Sequence, residues 1–437
     1  MFAASPPSLT LPHKGEGTGR VCDNVLALLS KVSFVPMSER NPVIIAGAGP
    51  TGLMCALALR AQDIPVVLLE AEPDLTHDLR AGSFHPPTLE MMARYGITAK
   101  IQETGLKVRH WQIRNKPDDL IAQFDLNLLA DVTPYPYRLH LEQHRLTPIQ
   151  LDLLRAEGGA EIHFGHAVTG FTQEAGGVTV TTEGPNGARE FKGSWLIGAD
   201  GGRGAVRKVL DVEFEGFTWP ELFVVASTPY DFARHGFAQN CYIVDPVEWG
   251  ALFKLPDEGP PGLWRLAYPV DPDESDEALL TPERVEEALQ RLFEKPGTYD
   301  IRYKSTYRVH QRVAGAFHLG RVLLAGDAAH LNNPLGGFGL NSGIHDAINL
   351  SDKLARHWHG ESEELLDLYS RQRRAATVEQ VQAMSIRNKQ IMEERDPAVQ
   401  RAHLQEMVAV ANDPARARQH LLNTSMISGL KRANEIT

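Results

Sequence analysis

One stretch constrains this chain more than any other: Val43-Ile-Ile-Ala-Gly47-Ala-Gly49-Pro-Thr51-Gly52-Leu-Met-Cys55-Ala-Leu-Ala-Leu-Arg60. An apolar strand runs into a glycine turn and then into a helix. In the spacing Gly47-x-Gly49-x-x-Gly52, the first glycine permits a tight turn. The second lets backbone approach a pyrophosphate, and the third lets the helix pack closely on the strand. The helix N-terminus then offers free N–H groups and the positive end of its dipole to the phosphates. A second apolar run, Pro65-Val-Val-Leu-Leu69, ends in Glu70, whose carboxylate is placed to accept hydrogen bonds from a ribose. A glycine turn alone also occurs for packing reasons. The order strand, turn, helix, strand, acid points to a dinucleotide site, with Thr51 inside the turn among its contacts.

The chain has 437 residues, which suits two or three domains. It has no apolar run of about 18 residues, so no transmembrane helix is expected. A net charge of −11 argues against a general nucleic-acid binder but leaves room for a locally basic site. The three cysteines, Cys22, Cys55 and Cys241, lie far apart and fit neither a disulfide framework nor a metal site. A reducing cytoplasm is the expectation. Cys55 falls inside the first helix and reads as core.

Residues 1–36 are turn-rich without a period, and read as a disordered or non-native leader, with Met37 the expected natural start. After Glu70, Arg80 follows a loop near the nucleotide end of the sheet, and Thr88–Gly96 reads as a helix stopped by its glycine. Residues 107–139 alternate apolar and polar and suggest antiparallel strands. A helix is expected from His140 to Leu154, then strands at Glu161–Phe164, Ala167–Thr172 and Gly177–Thr182, with a hairpin turn at Glu183–Gly187. Ser194–Arg207 is a third strand-to-turn unit, containing Gly198-Ala-Asp200-Gly. From Val212 to about Arg302 the strand-like runs predict a mostly antiparallel sheet, interrupted by a helix Pro282–Phe293 capped by Thr281. Next, Gly320–His330 is a buried strand ending in Gly326-Asp327. The glycine loop Pro334-Leu-Gly336-Gly337-Phe-Gly339-Leu340-Asn341 and a helix Ser342–Trp358 follow it. From Glu361 the chain is helical and charged, broken by Pro397 and Pro414.

Three separated motifs now stand in order: the turn at 47–52, Gly198-Ala-Asp200-Gly, and Gly326-Asp327 with its glycine loop. The trio resembles the single-component FAD-dependent aromatic hydroxylases, p-hydroxybenzoate hydroxylase-like, over about residues 41–375. The resemblance implies an α/β fold: a Rossmann-like FAD-binding domain, a mostly antiparallel substrate domain and a C-terminal helical region. The implied division gives 41–112, 137–211 and 303–360 to FAD, 113–136 and 212–302 to substrate, and 361–437 to the helical region. It assigns Gly47, Gly49, Thr51, Gly52, Glu70, Arg80, Gln143, Asp200, Asp327, Gly337, Gly339, Leu340 and Asn341 to cofactor binding. Pro334 lies in the loop beside the flavin ring and is taken as catalytic. Tyr369-x-x-x-Arg373-Arg374 fits the helix after the loop. Two departures are Gly204, where the family often has serine, and Asn333, where it often has a second proline.

What the family implies chemically is NADH or NADPH as co-substrate, O₂, a flavin C4a-hydroperoxide and oxygen transfer to a small aromatic, a phenol or heteroaromatic. An FAD epoxidase or quinone-precursor hydroxylase, and a non-catalytic flavin sensor, are the alternatives; oligomeric state, a homodimer included, is left open. No metal is needed, because the flavin carries the hard chemistry. The helix expected near Asn341 would stabilise negative charge on the reduced flavin. His330 reads as a packed histidine rather than a proton shuttle. In Trp264-Arg-Leu-Ala-Tyr268, alternation puts Trp264, Leu266 and Tyr268 on one face and Arg265 on the other. Tyr268 is the candidate for holding a phenolic substrate, although an ordinary sheet aromatic fits it too. Arg265 reads as a surface cation, His235 as exposed, and 371–395 as a solvated helix face.

Overall fold

The computed structural model describes residues 40–77, 82–115, 119–246 and 248–437. The leader, Met37 and Arg80 lie outside the described residues.

The first strand, Val43–Ala46, is buried along its whole length, as befits a strand covered on both faces. It pairs in parallel with Val66–Leu69 on one side and Trp195–Gly198 on the other, at Val43↔Val66 and Val43↔Trp195. Strands 160–163 and 322–324 extend this parallel sheet, and a short antiparallel strand at 318–319 ends it, six strands in all. The glycine-turn helix, Pro50–Arg60, packs on the helix Gln143–Glu157 and on the long helix Phe338–Trp358. Cys55 is buried in that core, where desolvation pushes its thiol well above the ordinary range. The expected hairpin closes a three-stranded antiparallel sheet over 167–193.

A second large sheet has eight strands, in the spatial order 330–331, 303–314, 214–228, 263–270, 250–255, 240–244, 110–115, 119–125. It is antiparallel except where 240–244 pairs with 110–115. Tyr303–Ala314 pairs along Phe214–Ser227, so the expected boundary at 302/303 falls ahead of a strand that belongs to this sheet. The boundary at 112/113 likewise cuts the strand His110–Asn115. Alternation fixes strand faces but not where a strand changes layer. On one face the helix Pro282–Leu292 buries Val285, Leu289 and Leu292 against Ala226, Trp264 and Leu266. Thr281 caps it, its Oγ1 accepting from Arg284 N at 3.3 Å. The opposite face carries Phe223, Trp249 and Val309, packed with Leu335 of the glycine loop.

A small sheet joins Ser83–Phe84, Arg138–His140 and Leu106–Val108. The C-terminal helices begin where the prolines were expected to break the chain. Pro397 and Pro414 each open a helix, with Asp396 and Asp413 accepting first-turn N–H groups at 2.7 and 2.9 Å. His420 of the second packs against Trp111 and Phe124, with ring centroids 5.6 and 4.6 Å away.

Candidate active site

At the glycine turn the three glycines do three different things. Gly47 has φ +101°, and a Cβ there would run into the Ala199 carbonyl. A Cβ at Gly52 would strike the Gly47 carbonyl oxygen. At Gly49 a Cβ would meet nothing within 4 Å. The chain itself therefore demands Gly47 and Gly52, whereas Gly49 faces space kept clear before the helix N-terminus. Glu70 sits half-buried at the rim of this space, accepting from Ala48 N at 2.6 Å and Glu72 N at 3.0 Å. A carboxylate offers about four acceptor sites, so hydroxyls of a ribose still find partners there. An ADP moiety fits this arrangement.

Thr51 faces the interior. Its Oγ1 fills the volume that a Cβ would take at Gly326 or at Gly343, so it joins the turn to the Gly326-Asp327 segment and the long helix. Asp327 is exposed on that segment. Below it lies a residue that spacing did not single out. Asp346 is fully buried and accepts from Gly326 N at 2.9 Å, His330 Nε2 at 2.7 Å and Arg373 Nε at 2.6 Å. Burial alone would raise its pKa, but Arg373 and His330 outweigh burial and hold it down to about 2. Its only signal was an acid amid the apolar positions 344, 347 and 348. His330 is thus a packed histidine, 1% exposed. Tyr369 donates to Leu324 O at 2.6 Å, and Arg374 spans both Glu215 oxygens at 2.8 Å.

The long helix starts at Phe338, earlier than the expected Ser342, because left-handed Gly337 (φ +69°) turns the chain directly into it. Gly337 N donates to Pro334 O at 2.9 Å. The N–H groups of Phe338, Gly339 and Leu340 then lie in the first turn, where a helix supplies no acceptor. Asn341 is fully buried and its side chain is committed to protein. Its Oδ1 accepts from His85 N and Thr88 Oγ1 at 2.8 and 2.6 Å, and its Nδ2 donates to Ser83 O and Gly337 O at 2.8 and 2.6 Å. Pro334 is exposed at the loop tip. Asn333 stiffens the loop through hydrogen bonds, accepting from Leu335 N at 3.1 Å and donating through its own N to Gln311 Oε1 at 3.2 Å. Gln143 is half-buried at the start of its helix, which Gln150 ties to Pro50 O at 3.1 Å. Asp200 accepts from Val206 N at 2.9 Å, and burial raises its pKa. Its carboxylate occupies the space of a Cβ at Gly204, so no serine fits beside it in this conformation.

In the eight-stranded sheet two expectations need correction. Tyr268 packs with Leu222, Val224 and Leu279 and with the core under the helix 282–292, on the helix-covered face. Burial pushes its phenol up to about 12. It is an aromatic of the packing layer and is turned away from the glycine loop. Arg265 is 2% exposed, not a surface cation, and its Nε donates to Ser227 Oγ at 3.2 Å. The ladder puts Phe223, Phe253, Arg265 and Tyr307 on one face, since Phe223 pairs with Tyr307 and Phe253 with Arg265. Tyr307 stacks on Phe223 at 5.6 Å, and Tyr242 lies against the Gly336 backbone. His235 has a partner, the Tyr230 hydroxyl at 2.7 Å. Among the described residues there is no cluster suited to a metal, and no helix long and apolar enough to cross a membrane.

Comparison with known proteins bears on this geometry. The family model described as "FAD binding domain" matches residues 40–384. The chain is 36% identical to para-nitrophenol 4-monooxygenase of Pseudomonas sp. (strain WBC-3), over 90% of this chain and 97% of the relative. It is 34% identical to 6-hydroxy-3-succinoylpyridine 3-monooxygenase HspB of Pseudomonas putida (strain DSM 28022 / S16), over 79% and 87%. The crystal structure of p-nitrophenol 4-monooxygenase PnpA from Pseudomonas putida DLL-E4 superposes with a TM-score of 0.85 at 34% identity, covering 90% of this chain and 98% of that one. With its glycine turn, its Gly-Asp segment and the loop that opens the long helix, the chain belongs to the FAD-dependent aromatic hydroxylases, a family of flavoprotein monooxygenases.

Proposed function

We propose that this FAD-dependent monooxygenase hydroxylates a small phenol or hydroxylated heteroaromatic with NADH or NADPH and O₂. One observation carries the reading: the loop that leads into the long helix lies against the aromatic face of the eight-stranded sheet, with Leu335 packed with Phe223 and Trp249. The two similar enzymes named above act on single-ring substrates, a nitrophenol and a hydroxypyridine. When bound, FAD supplies O₂ activation and delivery of one oxygen atom to an electron-rich ring.

The chain's own residues do the rest. Gly47, Gly49 and Gly52 shape the phosphate end, with Glu70 for the ribose, and Gln143, Asp200 and Asp327 complete the cofactor set. The first-turn N–H groups of Phe338, Gly339 and Leu340 and the helix dipole stabilise negative charge on the ring system. Pro334, through its carbonyl to Gly337 N, sets the angle at which those donors are presented. Phe223, Phe253 and Tyr307 give a flat aromatic wall that keeps water from the reacting ring.

Three parts share this work in our reading. The parallel sheet and long helix hold FAD, the eight-stranded sheet takes the substrate, and the helices from 361 onward close the assembly. With Cys55 and Cys241 free and buried, a reducing cytoplasm suits the chain. The test is oxidation of NADH or NADPH by the yellow protein across a panel of phenols and hydroxypyridines under ¹⁸O₂. Stimulated oxidation with one labelled oxygen in the product supports the reading. Flavin that is bound but never stimulated by any aromatic favours a sensor.

A further inference from the structure

The small sheet carries polar atoms that the fold does not use. Its register pairs Ser83 with His140 and Phe84 with Leu139. Side chains directly opposite, or two residues apart, share a face. His85 continues the strand with extended backbone (φ −84°, ψ 158°). Ser83, His85, Arg138 and His140 therefore lie on one face. The last three are 0%, 5% and 1% exposed. Each of the four has a buried polar atom without a partner among the described residues: Ser83 Oγ, His85 Nδ1, Arg138 Nε and His140 Nε2.

Their neighbours assign the protons. His85 Nε2 lies 2.9 Å from Gly336 O, and His140 Nδ1 lies 2.9 Å from Lys254 O. A carbonyl only accepts, so those nitrogens carry the hydrogens and His85 Nδ1 and His140 Nε2 are bare acceptors. Arg138 is always a cation. Among the described residues no carboxylate pairs with it, and its Nη2 lies 3.4 Å from Thr424 O. Buried polar groups are nearly always satisfied, and a buried charge without a counterpart is strongly unfavourable. Among the described residues nothing fills this need.

We propose that this face is the receptor for the ring hydroxyl of the aromatic substrate. Arg138 donates to the hydroxyl oxygen, and a bare imidazole nitrogen of His85 or His140 accepts its hydrogen. The group to be matched has both a lone pair and a hydrogen. A carboxylate or nitro group offers no hydrogen to the imidazoles, and an ether offers none either. The place is right as well: His85 is bonded to Gly336, and Tyr242 stands against the same glycine. The Arg138 charge favours ionisation of the hydroxyl, which enriches the ring in electrons as oxygen transfer requires. The identity of the ligand rests on the function proposed above.

The test uses FAD-loaded, oxidised protein without nicotinamide. Binding is read from the flavin spectrum for phenols paired with their methyl ethers: phenol and anisole, 4-nitrophenol and 4-nitroanisole, 3-hydroxypyridine and 3-methoxypyridine. At least one hydroxyl compound should bind tenfold or more tighter than its ether. Arg138→Met should shrink that preference to within twofold while leaving the ether and FAD affinities unchanged. Arg138→Lys should keep an intermediate preference, and it carries the test if the Met variant does not fold. No preference in the unaltered protein, a full preference in Arg138→Met, or a tenfold loss of FAD affinity in that variant would overturn the proposal. The preference is measured without turnover. Selective binding without oxygenation therefore breaks only the functional reading, and turnover with an indifferent Arg138 breaks only this one.

Discussion

The glycine turn and the small sheet are both built around space, in opposite ways. At 47–52 the space comes from missing atoms: two glycines let backbone touch backbone, and the third leaves a clear volume. At the small sheet it comes from atoms that find no partner among the described residues, on strands far apart in the chain. The first device works through local backbone geometry and is readable as a spacing. The second exists only after strands 83–84 and 138–140 find their register. A cofactor common to a whole family suits the first, and a ligand that differs between members suits the second.

Substitutions at five positions press on this contrast, from the strongest downward. Asp346→Ala removes the centre that ties Gly326, His330 and Arg373 together. It should cost about 3–5 kcal/mol in urea unfolding, because Arg373 is left buried and unpaired. The acid limb checks the same group. With a folded pKa of about 2 against an ordinary 3.8, the stability from ionised Asp346 is complete above the ordinary value. It is lost as pH falls from there through about 2. Asp346→Asn should lack that part of the acid slope.

Gly52→Ala and Gly49→Ala split the turn into its two functions. The first forces a methyl onto the Gly47 carbonyl and should cost about 1–3 kcal/mol, with colourless or poorly folded protein. The second meets no protein atom and has φ −73°. It should unfold like the parent, within about 1 kcal/mol, yet lose flavin on dialysis. Equal thermal destabilisation of the two would show that the clear volume is not reserved for a ligand. Asn341→Ala frees the Ser83–His85 segment from the long helix and should lower stability by about 1–3 kcal/mol, with weaker flavin binding in titration. Tyr268→Phe should do least: a rate within twofold of the parent and stability within about 1 kcal/mol. A tenfold drop in its kcat would return Tyr268 to the active site.

The parts legible beforehand were those with local causes. The glycine turn, the hairpin at 183–187, the Thr281 cap and the proline-started helices each rest on backbone rules that act within a few residues. Alternation correctly put Arg265 opposite Tyr268, but it could not say which face a helix would cover. The roles were therefore exchanged, the arginine buried and the tyrosine turned outward under 282–292. Asp346 escaped because an acid in an apolar helical stripe has no meaning until Arg373 arrives from the next helix. The polar face of the small sheet escaped because no single segment contains it.

The last helices have a consequence of their own. His420 packs against the stacked pair Trp111 and Phe124, and the Thr424 carbonyl reaches Arg138. The tail thus packs on the 110–125 edge of the eight-stranded sheet without contributing a strand to the parallel sheet that starts the molecule. Grafting this tail between relatives should retune which rings are admitted while the colour of the protein stays the same.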